Sequence, residues 1–543
     1  MSGTTEWPTM SARRRLRVFF AVLAALILAA AYIAVGTGIA GAATSDRTPI
    51  VKTDNGVVRG LVLPDGYAFR GLPYAAPPTG HLRWRAPRPP ADWTGVRDAT
   101  DFAPNCPQPL RPPTIGVTNE DCLYLNVSTP QLGTGKGSGR SGARLDPRRR
   151  LAVRRRPGLR AAKLAADGIV VVTVNYRLGA LGFLAHPALA SSPGGPTGNY
   201  GLMDQQAALR WVQSNIAGFG GDPHNVTIAG ESAGGLSVLA QLVSRGARGL
   251  FHRAIVQSGS FALTQQPLAL AEAAGEAFAS RAGCPDQTAA CLRHLPVADI
   301  VENFTTDAIP GVVDGKVLTT SVGTALAAGR FARVPILNGT NHDEERIFVV
   351  LGFTVSGGTD VPIPERPVTA ENYQRNIAFV LGVSSSRATA IAAEYPPSVY
   401  ATPTVGFSTL VADANFACPA LQIDDWTAAR VPTFAYEFND DAAPLPLPLP
   451  LDPPVATHTS ELAYLFDLPG ATFSGPFSPG QEELKANMRA AWAAFAANGD
   501  PSTATVPWPS VDNGAHVMSL VPPQPQVETN FASRHHCSLW ATG

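Results

Sequence analysis

Residues 225–240 read Asn225-Val226-Thr227-Ile228-Ala229-Gly230-Glu231-Ser232-Ala233-Gly234-Gly235-Leu236-Ser237-Val238-Leu239-Ala240. Val226 to Ala229 predicts a short buried strand, and the apolar run after Gly235 predicts a helix. Between them stands Gly-x-Ser-x-Gly, which puts Ser232 on a sharp strand-to-helix turn. The chemistry calls for such a turn. A serine hydroxyl is a poor nucleophile and must be held exposed beside a base. Small residues two positions either side avoid clashes in the bend. The amide of Ala233, at the helix N-terminus, is placed to donate to a developing oxyanion. The pentapeptide alone recurs by chance, and its strand–turn–helix setting is what makes Ser232 the candidate nucleophile.

Working outward, Ile169 to Val174 is an unbroken β-branched run, the mark of a buried parallel strand. Leu202, Leu209, Val212 and Ile216 share one face of a helix that Gly218 can end. Ala254 to Val256, Val334 to Leu337 and Thr433 to Phe438 read as further strands. Strands separated by helical stretches predict an α/β fold with a doubly wound, mostly parallel, twisted sheet flanked by helices. No internal repeat interrupts the pattern. Pro444 to Pro450 alternates Pro and Leu and reads as a stiff spacer.

Composition bounds the rest. The chain has 543 residues, 45% of them apolar, enough for a large core and too many for a disordered chain. Lys+Arg and Asp+Glu each number 42, but the balance is uneven. Residues 133–163 hold 11 basic residues and one acidic; the remainder holds 31 and 41. A net acidic body argues against a nucleic-acid partner. At the N-terminus, Arg13, Arg14, Arg15 and Arg17 precede an uncharged apolar run from Val18 to Val35. Residues 1–45 thus form a signal or membrane-anchor segment, leaving 46–543 as the folded domain. The length of the run favours an uncleaved anchor, while Ala40-Gly41-Ala42 keeps signal cleavage open. Either places the domain outside the cytoplasm, membrane-anchored or secreted. There the six cysteines are free to form disulfides. Closeness in sequence suggests Cys106 with Cys122 and Cys284 with Cys291, leaving Cys418 and Cys537. No ligand spacing suggests a metal, and His535-His536-Cys537 is expected at the surface.

Several stretches together resemble the type-B carboxylesterases and cholinesterases, which have the α/β-hydrolase fold. They are Phe69-Arg70-Gly71-Leu72-Pro73-Tyr74-Ala75 with Leu82-Arg83-Trp84, Glu120-Asp121-Cys122-Leu123-Tyr124-Leu125-Asn126-Val127, Asn175-Tyr176-Arg177-Leu178-Gly179, and Gly230 to Gly235. The resemblance runs from about Thr53 to Trp540, and the three cysteine pairs match that family's usual loops.

In this fold the triad follows the order Ser, Asp/Glu, His. The family's Asp-Glu-Gly pattern puts the acid on Glu344, with Asp343 the runner-up and Glu345 standing where the family has Gly. Its His-x-x-Glu-Leu segment puts the base on His458. Glu231 and Ser258 resemble supporting groups around the triad, though ordinary turn polarity explains them equally well. The resemblance implies hydrolysis of a small-molecule or lipid ester through an acyl-enzyme, with no cofactor or metal.

One part of the pattern is missing. Between Val127 and Ile169 the family has an apolar strand and a Gly-rich loop that supplies oxyanion-hole amides. Here residues 133–163 have no aromatic residue, no histidine and no Gly-Gly pair. Their arginines predict an exposed loop in place of that strand, since unpaired charge is not buried in a sheet. So abrupt a change of composition at preserved length points to compensating frameshifts. Resequencing codons 131 to 168 tests this, and a shifted frame that restores no apolar strand and no Gly-rich loop ends the idea. Two function classes stand: a working carboxylesterase, and an impaired cholinesterase-like protein acting as a binding module or a frameshifted non-functional product.

Overall fold

Val170-Val171-Val172-Thr173-Val174 is buried at its first four positions because both faces of the sheet it joins are covered. A computed structural model describes residues 48–108, 117–133, 150–154 by backbone alone, 162–190, 197–304, 311–445, 451, 454–466, 475–511 and 516–541. Among them eleven strands make one sheet. In chain order these are β1 (Leu61–Leu63), β2 (Gly66–Pro73), β3 (Tyr124–Thr129), β4 (Arg150–Arg154), β5 (Val170–Val174), β6 (Thr227–Glu231), β7 (Arg253–Gln257), β8 (Ile336–Asn341), β9 (Thr433–Phe438), β10 (Val517–Leu520) and β11 (Gln526–Glu528). Their spatial order is β11-β10-β9-β8-β7-β6-β4-β5-β3-β2-β1. From β10 to β5 every neighbouring pair is parallel. The flanking pairs at both ends are antiparallel. This is the α/β-hydrolase arrangement.

Strand side chains alternate between two separate cores. On one face Val170, Val172, Ile228, Ala254, Val256 and Ile336 pack with Leu209 and Val212 of α1 (Tyr200–Asn215) and Leu236 and Leu239 of α2 (Ala233–Val243). On the other, Val171, Ala229, Ile255, Leu337 and Tyr436 pack with Leu484, Met488, Trp492 and Phe495 of α3 (Pro479–Asn498). Each fully buried aliphatic side chain contributes about 1.5–3 kcal/mol. The start of α3 is fixed locally, since Ser478 and Gln481 form a reciprocal capping box with Pro479 at the first helical position. The expected apolar face of α1 is buried, but Gly218 does not end it. The helix runs into a 3-10 turn, Ile216–Phe219, closed by Gly220 at φ 82°.

The expectation for the arginine-rich segment is corrected at its centre. Arg150–Arg154 is not a loop but β4, in the interior of the sheet. Leu151, Ala152 and Val153 align with Val171, Val172 and Thr173 on one side and with Thr227, Ile228 and Ala229 on the other. Backbone pairing explains this. Without β4, two facing interior edges would keep unpaired N–H and C=O groups. Ladder hydrogen bonds are indifferent to side-chain identity, so one short apolar triple is enough to fill the gap.

The three disulfides are Cys106–Cys122, Cys284–Cys291 and Cys418–Cys537, the pairs expected. Among the described residues no helix is long and apolar enough to cross a membrane. The N-terminal segment and most of Pro444 to Pro450 lie outside those residues.

Candidate active site

β6 ends at Glu231 and α2 begins at Ala233, so Ser232 is the single residue of the bend. Its φ of 59° and ψ of −127° are unfavourable for a residue with a Cβ, by about 1–3 kcal/mol. Neighbouring backbone holds it there. The Ser232 N–H donates to Gln257 O at 2.9 Å, and its carbonyl accepts from Leu236 N–H at 3.0 Å. The glycines are required by space. A Cβ on Gly230 would lie 2.2 Å from Gly234 O, and one on Gly235 would lie 2.7 Å from Gln257 O. Ala233 opens α2, where the first N–H groups have no intrahelical acceptor.

The acid and base candidates come from the loops after β8 and β9, which a backbone bridge between Asp343 and Thr457 ties together. His458, 4% exposed, lies with Nδ1 2.5 Å from Glu344 Oε2. Glu344 is fully buried, and its other oxygen accepts from Thr340 Oγ1 and from Asn341 N–H, both at 2.8 Å. With Glu344 accepting at Nδ1, Nε2 is the nitrogen turned toward the bend. That nitrogen lies 3.1 Å from Glu231 Oε1, at the residue preceding Ser232. Phe348 and Phe416 flank the ring, with centroids at 5.1 and 5.6 Å. Asp343, the runner-up, is engaged elsewhere, with His342 Nδ1 at 2.7 Å and with Arg346 at 3.2 Å.

Of the two supporting residues, Glu231 reaches the imidazole. Ser258 is fully buried at φ 51°, its N–H donates to Gly339 O at 2.8 Å, and its hydroxyl has no hydrogen-bond partner among the described residues.

Two further buried carboxyls were not foreseen as site residues. Glu461 accepts from Gln257 Nε2 at 3.0 Å and from Asn341 Nδ2 at 2.8 Å. Burial, with the Glu231 and Glu344 charges nearby, pushes its pKa up to about 7. Its signal was the Glu of the His-x-x-Glu-Leu segment. Glu345 accepts from Val355 N–H at 3.1 Å and from Asn415 Nδ2 at 3.0 Å, and burial pushes it up to about 8. The only sequence signal there was a glutamate in place of glycine. Gln257 and Asn341, the neutral donors that hold Glu461, carried none.

His535 is corrected from a surface residue to a buried one, 2% exposed, between Asp413 at 2.6 Å and Glu437 at 2.7 Å. Residues 155–161, where the missing oxyanion loop would fall, lie outside the described residues.

The Carboxylesterase family model matches residues 47–540. Fumonisin B1 esterase of Sphingopyxis macrogoltabida is 35% identical over 522 residues, covering 89% of this chain and 88% of that one. Para-nitrobenzyl esterase of Bacillus subtilis (strain 168) is 33% identical, covering 85% and 92%. Cocaine esterase of Homo sapiens is 32% identical, covering 89% of each. A solved structure of PNB esterase superposes with a TM-score of 0.71 at 30% identity, over 90% of this chain and 99% of that one. With the family model spanning the sheet, the Ser232 bend and the His458–Glu344 loops alike, the chain belongs to the carboxylesterase family.

Proposed function

We propose that this esterase-family chain hydrolyses small-molecule carboxylic esters through a Ser232–His458–Glu344 triad and an acyl-enzyme. Ser232 Oγ attacks the ester carbonyl while His458 Nε2 takes its proton. The same imidazole returns the proton to the leaving alcohol, then activates water for deacylation. Glu344 fixes the tautomer and stabilises the imidazolium. Ala233 N–H donates to the oxyanion. The observation that carries this reading is the orientation of His458, with one nitrogen on a buried carboxylate and the other turned to the residue beside the strained serine. The domain acts outside the cytoplasm, anchored or released at residues 1–45. The N-terminal arginines with their apolar run, and three disulfides, support that placement.

A second reading, an impaired esterase, is favoured by Arg154-Arg155-Arg156-Pro157-Gly158-Leu159-Arg160, which offers no Gly-Gly pair. Losing one oxyanion donor costs ~10²–10³ in turnover. Hydrolysis of a short-chain chromogenic ester by purified protein, beside Ser232→Ala, separates the readings. The triad reading expects turnover that the variant abolishes. Equal rates for both proteins overturn it and leave the impaired chain.

A further inference from the structure

Behind the triad acid lies a second cluster of buried ionisable groups that ester hydrolysis does not use. His342 follows the end of β8, Glu437 is on β9, and His535 precedes the cysteine that closes the last disulfide. Ligand atoms of these three residues lie within 4.8 Å of one another. Each imidazole is oriented by a carboxylate at Nδ1. His342 pairs with Asp343 at 2.7 Å and His535 with Asp413 at 2.6 Å. Asp413 is itself held by the Tyr395 hydroxyl at 2.7 Å. In both histidines Nε2 is therefore the nitrogen left over, the arrangement in which a carboxylate fixes a metal-ligating imidazole.

The third group is prepared in the same way. Arg534 and Asn439 Nδ2 both engage Glu437 Oε2, leaving Oε1. His535 Nε2 approaches Oε1 at 2.7 Å as an ion-pair contact that an ion would have to part, and among the described residues neither atom has a further hydrogen-bond partner. Charge points the same way. The carboxylates Asp343, Asp413, Asp441, Glu437 and Glu528 outnumber the guanidinium groups of Arg346 and Arg534, so the cluster favours a cation. His342 retains 31% side-chain exposure, which gives an ion a way in.

We propose that His342, His535 and Glu437 bind one zinc-class divalent ion through two imidazole nitrogens and one carboxylate oxygen, with water in the fourth position. The ion would staple the C-terminal segment to the loop that carries Glu344. Protons and the ion compete for the same imidazole lone pairs.

The test is calorimetric titration of chelator-stripped, untagged full chain with Zn²⁺, with the visible spectrum of the Co²⁺ form as a second readout. One equivalent should bind at low micromolar concentration or tighter and raise Tm. His342→Ala should weaken binding at least tenfold and remove the Co²⁺ bands. This side chain is partly exposed, so the variant keeps the test open where His535→Asn fails to fold. Asp413→Asn should weaken binding 10–100-fold. Asp441→Asn should have no effect; it probes the neighbouring set of His342, Asp343 and Asp441. Lack of saturable uptake, uptake indifferent to His342→Ala, or loss on Asp441→Asn overturns the site.

Discussion

Replacing Glu345 with glutamine isolates the energetic consequence of one buried carboxyl. Glu345 is fully buried and receives only neutral donors, Val355 N–H and Asn415 Nδ2. Burial, the largest influence, lifts its pKa from an ordinary 4.5 to about 8. The folded protein thus keeps this proton over a pH range in which the unfolded chain has lost it. Stability must fall as pH rises through that window and level off above about 8. Below about 4.5 both states are protonated and the group contributes nothing. The full span corresponds to roughly 5 kcal/mol. Glutamine copies the protonated acid and cannot ionise. The variant should therefore match the parent near pH 4.5 and exceed it increasingly up to pH 8.5. For a domain of about 500 residues the unfolding entropy is about 1 kcal/mol/K, so the gap should reach about 5 °C in Tm. Thermal unfolding of both proteins at pH 4.5, 6.5 and 8.5 at fixed ionic strength measures it. Other groups with raised pKa values, Glu461 among them, slope both curves alike and cancel. A Tm difference that stays constant with pH refutes the reasoning.

Glu344→Gln should lower kcat by about 10³–10⁴ with the fold intact, because the imidazole loses the partner that fixes its tautomer; steady-state kinetics beside circular dichroism check it. Gly230→Ala should destabilise by about 1–3 kcal/mol or more and cut activity, because its Cβ would meet Gly234 O at 2.2 Å inside the bend; Tm and kcat report both effects. Replacing Cys418 and Cys537 by serine opens a loop spanning 119 residues, and by loop-closure entropy should cost up to about 5 kcal/mol, read from chemical unfolding.

Much of this molecule is local and was legible in the sequence. The bend at Ser232 follows from glycines whose Cβ atoms would clash, and the apolar run at Val170 announces a strand covered on both faces. Glu344 and His458 were placed by motif resemblance, since 114 residues separate them and no local rule joins them. Only the tertiary structure could decide the rest, because each remaining point depends on what arrives from elsewhere in the chain. Arg150–Arg154 looked too charged for a sheet, yet β5 and β6 present edges that demand a partner. His535 looked like a tail residue, but Asp413 and Glu437 arrive from distant segments to enclose it. Glu345 looked like a small departure from glycine, and packing makes it a buried acid with a raised pKa. Sequence fixes turns, periodicity and the residue types that chemistry needs, because these act over a few residues. Burial, pairing and protonation belong to the assembled sheet, because they depend on distances that only folding sets.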